Sequence, residues 1–348
     1  MGPVLGGWLV QTISWRAVFF INLPIALIVI AISYRHVPES LSGKREPLDY
    51  PGAVLVTVGL GALIYSLIES SRLGFSSPTI MTCALTGVVF LVAFVFTESL
   101  LRHLMLPPAL FRSLDFSGAN LLTLLLYAAL SATMFFLPLN LIQVQHYTPT
   151  AAGAAILPLI LIIFVLSRWS GGLIDRYGAK IPLVVGPTIA AFGFLLFVRP
   201  DLGGSYWSEF FPAVVVLGLG MAVSVSPLTT VVMSSVSGER VGTASGVNNA
   251  VARVASLLAI AVFGVVILHS FNSELDRRAP GVTIPKSERV KLGSAQPPPG
   301  VDPTIIGRSF VHGFRVVMIS CALLALGAAT TSALMISGPR ENQSRSAS

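Results

Sequence analysis

Long apolar runs with almost no charge recur along this chain, and they limit what it can fold into. Nine of them lie at about 17–35, 51–69, 79–98, 117–142, 151–170, 181–199, 210–236, 245–269 and 313–337. Crossing the hydrocarbon core of a bilayer takes roughly 20 such residues in an α-helix, against about 10 in a barrel strand. Only helices and closed barrels satisfy every backbone polar group in lipid, and these runs are too long for strands. The chain therefore reads as an all-α polytopic membrane protein with nine complete transmembrane helices. A shorter run at 2–12 cannot cross. It has no basic flank and no small-residue cleavage site, so it reads as a stub, the end of a further helix, and not as a signal peptide.

Composition agrees. Charged residues make up 11% of the chain and hydrophobic ones 54%, whereas a soluble domain is about 25% charged. The net charge of +7 does not point to nucleic acid, because the basic residues sit between apolar runs and form no stripe. Cys83 and Cys321 lie inside separate apolar runs without metal-ligand spacing, so they read as packing residues. No phosphate loop, metal cluster or nucleophile–base set appears. The expectation is neither an enzyme nor a cofactor or metal protein.

Basic residues fix a direction. Arg35, Lys44, Arg45, Arg102, Arg112, Arg168, Arg176, Lys180, Arg240, Arg340 and Arg345 fall on one side if connections alternate, and Arg16, Arg72 and Arg199 fall in the short loops of the other. The positive-inside rule makes the first side cytoplasmic. The connection at 270–312 lies on the outer side despite six basic residues, and long loops translocate regardless of charge. Its prolines (280, 285, 297–299 and 303) exclude a further span and leave a disordered loop or a short hairpin.

Three stretches carry a family resemblance. Gly2-Pro3-x-x-Gly6-Gly7 looks like the end of an antiporter signature in a fifth span, and Ser14 to Pro24 like the passage into a sixth. Gly171-Gly172-Leu173-Ile174-Asp175-Arg176-Tyr177-Gly178-Ala179-Lys180 is similar to a cytoplasmic loop motif, with Ala179 in place of a basic residue. Ala244 to Asn249 with Arg253 is similar to the start of a penultimate span. Together they resemble the major facilitator superfamily, in its fourteen-span drug:proton antiporter branch. A stub counted as span five, followed by nine spans, reaches fourteen.

The resemblance implies a partial, N-terminally truncated major facilitator fold. Residues 1–35 would be the remnant of an N-terminal bundle, 36–112 two linker spans, 113–340 a C-terminal six-helix bundle with the outer loop 270–312, and 341–348 a cytoplasmic tail. Gly2, Pro3, Gly6 and Gly7 would seal one face during transport; plain small-residue packing explains them equally. Gly171, Asp175, Arg176, Gly178 and Lys180 would form a cytoplasmic latch, in which Asp175 caps a helix or pairs with Arg176 or Lys180; a solvated loop is the alternative.

Asn120, Tyr127, Asn248, Asn249 and Arg253 are candidates for a substrate path. Asn120 and Tyr127 are seven apart and share a face, although helix-to-helix hydrogen bonding is the commoner use of such groups. Arg253 either faces a polar path or snorkels to the cytoplasmic edge. Pro138, Pro158, Pro182, Pro187 and Pro227 mark bend points. Glu69, Glu98, Asp115 and Glu209 all lie near span ends, so no carboxylate sits mid-membrane to load a proton.

The expected function is proton-driven export of small amphipathic organic substrates by alternating access, from a multi-pass position in the cell membrane, with protons and the lipid bilayer as the other partners. The competing reading is a truncated or mis-started product that transports nothing, or a half-transporter that needs a separate N-terminal partner.

Overall fold

The computed structural model describes residues 2–36, 49–100, 108–236, 238–278 and 302–338, and the regular structure among them is helical. In chain order the α-helices are α1 (Gly2–Thr12), α2 (Ala17–Phe20), α3 (Asn22–His36), α4 (Tyr50–Leu73), α5 (Pro78–Leu100), α6 (Leu114–Leu139), α7 (Pro149–Gly171), α8 (Leu173–Tyr177), α9 (Lys180–Leu196), α10 (Phe211–Ser234), α11 (Val241–Arg278) and α12 (Pro303–Met335). Eight helical stretches among the described residues are long and apolar enough to cross a membrane, and the 17-residue α9 is a shorter apolar helix. The sequence reading of an all-helical polytopic chain therefore holds.

Local signals start several of these helices. Asp49, Ser113, Thr148 and Asp302 each precede a helix and accept a backbone N–H from its first turn, at 2.8, 3.3, 3.2 and 2.8 Å. Pro51, Pro149 and Pro303 occupy first-turn positions that need no donor. The bond from Thr304 also holds the Asp302 carboxyl below its ordinary range. Pro138 lies inside α6, and a π-helical turn over 140–144 begins two residues later.

One buried cluster runs from Leu110 to Ile336 and is contributed by α6, α7, α9, α10, α11 and α12. Its helices approach one another through glycine. A Cβ on Gly193 would stand 2.7 Å from the Cα of Leu217, and one on Gly220 2.8 Å from that of Ala190, so α9 and α10 meet almost backbone to backbone. Polar clasps close both ends of this bundle. At one end the Asp115 carboxylate accepts the Ser337 backbone N–H at 2.6 Å and its hydroxyl at 3.1 Å, which ties the start of α6 to the exit of α12. At the other end Arg315 of α12 donates to the Pro200 carbonyl at 2.9 Å, and Gln145 donates to the Asp201 carbonyl at 2.8 Å.

Outside the bundle, α4 and α5 form a hairpin, and α3 has no buried residue. The connection read at 270–312 differs from expectation at both margins: α11 continues to Arg278, and α12 already begins at Pro303. Apolar run length misses these extensions because they are amphipathic. Phe271, Leu275, Ile306 and Phe310 are buried, and Glu274 pairs with Arg277 and Arg278 at 2.8 and 2.6 Å. Pro280, Pro285 and Pro297 to Pro299 lie outside the described residues.

Gly220→Val is expected to destabilise the bundle by about 1–3 kcal/mol, because the backbone of α9 must retreat. Thermal unfolding in detergent, followed by labelling of the buried Cys321 thiol in a Cys83→Ser background, measures it. Gly61→Ala, at a site with nothing within 4 Å of an added Cβ, is expected to hold or raise the midpoint.

Candidate functional site

The first candidate group lies where α1 crosses α7. A Cβ on Gly7 would stand 2.8 Å from the Pro149 carbonyl carbon, and one on Gly153 2.7 Å from that of Pro3. Each helix thus supplies one missing side chain at the point where the other's backbone arrives. Thr150 on α7 donates its hydroxyl hydrogen to Gln11 Oε1 at 2.6 Å, and Leu9 is buried beside the crossing. Of the four signature residues, Gly7 and Pro3 touch α7, whereas Gly2 and Gly6 face open space. Gln11 and Thr150 were missed in the sequence; Gln11 lies four residues after Gly7, which puts it on the same face.

The second group is the connection from α7 to α9. Gly171 ends α7, α8 is a single turn, and Gly178 turns the chain at φ 74°, a value that favours glycine. Asp175 is exposed on α8. Among the described residues it neither caps a helix nor pairs with Arg176 or Lys180. Arg176 lies over the Tyr177 ring instead, 5.4 Å from its centroid, and Lys180 opens α9. The structure brings these residues to one end of the bundle but not into contact with one another.

The third group forms a polar seam between α6 and α11. Asn120 is 4% exposed and donates to the Phe116 carbonyl at 2.9 Å, so its Oδ1 is left as the acceptor. Thr123 spends its hydroxyl hydrogen on the Ala119 carbonyl at 2.8 Å. Both backbone partners can only accept, which forces the direction of the remaining bonds. Asn248 must turn its amide N–H groups inward, and it donates to Thr123 Oγ1 at 2.7 Å and to Asn120 Oδ1 at 3.3 Å. Its own Oδ1 accepts no hydrogen bond among the described residues. Two turns further along, the hydroxyls of Ser131 and Ser256 meet at 2.7 Å.

The remaining path candidates stand beside this seam. Tyr127 is half-buried and packs on the core. Asn249 is exposed and donates to the Ser245 carbonyl at 3.0 Å. Arg253 is exposed on the same side of α11. Asn120 and Asn248 thus meet directly, while Tyr127, Asn249 and Arg253 do not join their network. Thr123, Ser131 and Ser256 went unread in the sequence, although Thr123 lies between Asn120 and Tyr127 on one helical face.

Comparison with known proteins identifies the family. Residues 1–260 match the family model of the Major Facilitator Superfamily. The chain belongs to that superfamily, a family of transporters, and is a multi-pass protein of the cell membrane. Multidrug resistance protein Stp of Mycobacterium tuberculosis is 28% identical over 349 residues, covering 93% of this chain and 64% of its own length. The tetracenomycin C resistance and export protein of Streptomyces glaucescens is 28% identical over 349 residues, covering 94% and 64%. Fatty acid resistance protein FarB of Neisseria gonorrhoeae is 32% identical over 259 residues, covering 72% and 49%. The chain thus spans 64% of the length of the first two.

Asn248→Leu strands the buried Asn120 oxygen and is expected to cost about 1–3 kcal/mol. Asn249→Ala, at an exposed position, is expected to stay within about 0.5 kcal/mol. Detergent melting curves of the two variants side by side test the difference.

Proposed function

We propose that this chain is the bundle-bearing part of a proton-driven exporter of small amphipathic organic compounds, working by alternating access. The observation that carries the reading is the backbone-level crossing of α1 and α7. Helices packed this closely over a short stretch form a seal that a small rotation opens along its whole length. The drug-resistance names of the relatives support the substrate class.

In this reading nine spans and the stub α1 belong to a fourteen-span plan. Residues 1–35 continue an N-terminal bundle, 36–112 are linker spans, and 113–340 form the C-terminal bundle. The end carrying Gly178 faces the cytoplasm, as the basic residues favour. Asp175, exposed on α8, is then available to a basic or N–H group on another element when the cytoplasmic side closes. Gly2 and Gly6, open in this structure, face the side from which further helices would approach. The seam of Asn120, Thr123 and Asn248 borders the substrate path.

Expression in cells stripped of other pumps is expected to lower accumulation of a fluorescent drug severalfold, and an uncoupler is expected to erase the difference. Efflux that survives the uncoupler would remove the proton from this reading, and no efflux would remove transport by this chain. Gly153→Leu, which prises α1 from α7, is expected to reduce efflux at least tenfold while the protein still reaches the membrane. Reporter fusions at Lys180 and Gly203 check the orientation: activity on the cytoplasmic side is expected at the first and on the outer side at the second.

A further inference from the structure

The depth of Arg253 follows from the register of α6 and α11. Asn248 bonds Thr123 and Ser256 bonds Ser131, both at a separation of 125 residues. The two helices therefore run parallel in constant register, and Arg253 stands level with Ala128 near the middle of α6. At 1.5 Å per residue, the ends of α6 at Leu139 and Leu114 are roughly 16 and 21 Å away. An arginine side chain does not extend that far, so the guanidinium stays beside the middle of the α6–α11 pair. It makes no hydrogen bond or ion pair among the described residues, and it is exposed.

The face that carries it is polar on one side of Arg253, and the exposed Leu257 follows one turn beyond it. Gly242, Gly246, Asn249 and Arg253 follow one another at helical spacing, and all four are exposed. A Cβ on Gly242 or Gly246 would meet nothing within 4 Å. By contrast, the exposed stripe of α5 is wholly apolar: Met81, Leu85, Val88, Val92 and Val95. An unpaired guanidinium is costly at mid-membrane unless it borders polar space. The α11 stripe therefore lines such a space, with Asn248 at its flank. Residues 241–257 contain no Asp or Glu, so the charge presented there is positive.

We infer that Arg253 selects the charge of the substrate, and that this carrier takes acidic amphipaths: organic compounds with an apolar body and one carboxylate, phenolate or enolate. The inference rests on the transporter reading above and narrows its substrate class. The guanidinium offers a planar fork of donors to such an anion, in a low-dielectric wall where the pairing is strong. An organic cation of the same shape would meet a like charge with no carboxylate to offset it.

The test uses the whole chain in lipid nanodiscs and equilibrium dialysis of two probes with one ring system and opposite charge, 2-naphthylacetate and 2-(2-naphthyl)ethylammonium. The wild-type chain is expected to bind the acid at least tenfold more tightly than the ammonium. Arg253→Gln is expected to bring the two affinities level, and Arg253→Lys to restore the preference. Asn249→Asp, one helical turn away at an exposed position, sets a carboxylate beside the guanidinium and is expected to shrink the preference severalfold without depending on the fold of the Gln variant. A wild-type chain that binds both probes equally, or favours the ammonium, overturns this inference and leaves the transporter reading standing. A preference that survives Arg253→Gln or Asn249→Asp overturns it too. If neither probe binds, the inference and the transporter reading fall together.

Discussion

Apolar surface does not drive helices together in lipid, because the surrounding chains are as apolar as the helices themselves. Association in this protein has to come from close contact and from hydrogen bonds between helices. The close contacts are made where a side chain is missing: Gly193 and Gly220 between α9 and α10, and Gly7 and Gly153 between α1 and α7. The hydrogen bonds are made along α6 and α11 and at the two ends of the bundle. Each device suits its place. Glycine contacts give density without direction, while the hydroxyl and amide rungs fix register.

That division separates a glycine crossing from a hydrogen-bonded seam. The α1–α7 crossing is short, with one side chain to side chain hydrogen bond among the described residues, from Thr150 to Gln11. The α6–α11 seam is tied at two levels and set in a continuous core. A contact of the first kind separates at small cost, and one of the second kind does not slide.

Much of this was legible in the sequence, for reasons that also explain what was not. Apolar run length reports the helices that cross lipid. It does not report helix beyond the apolar zone, so the continuation of α11 through Phe271 and Leu275 and the early start of α12 were read as loop. Spacing placed Asn120 and Tyr127 on one face but could not name the partner helix, and only the partner shows that Asn248 donates inward. Arg253 was ambiguous because a lone arginine near a helix start is compatible with two depths. The rungs from Thr123 and Ser131 set Arg253 level with Ala128 of α6, and no pattern within α11 could have shown that. Asp175 reads from its place in the chain as a helix cap or a partner for Arg176 or Lys180, and among the described residues it forms neither contact.

The matched rungs between α6 and α11 have a mechanical consequence. Two parallel rods pinned at two heights behave as one plate: they can tilt together but cannot ratchet past each other. Any rearrangement that parts α1 from α7 therefore leaves Arg253 at the same height on that plate. The charge is a stationary landmark in the membrane's electric field, and it is the walls around it that change.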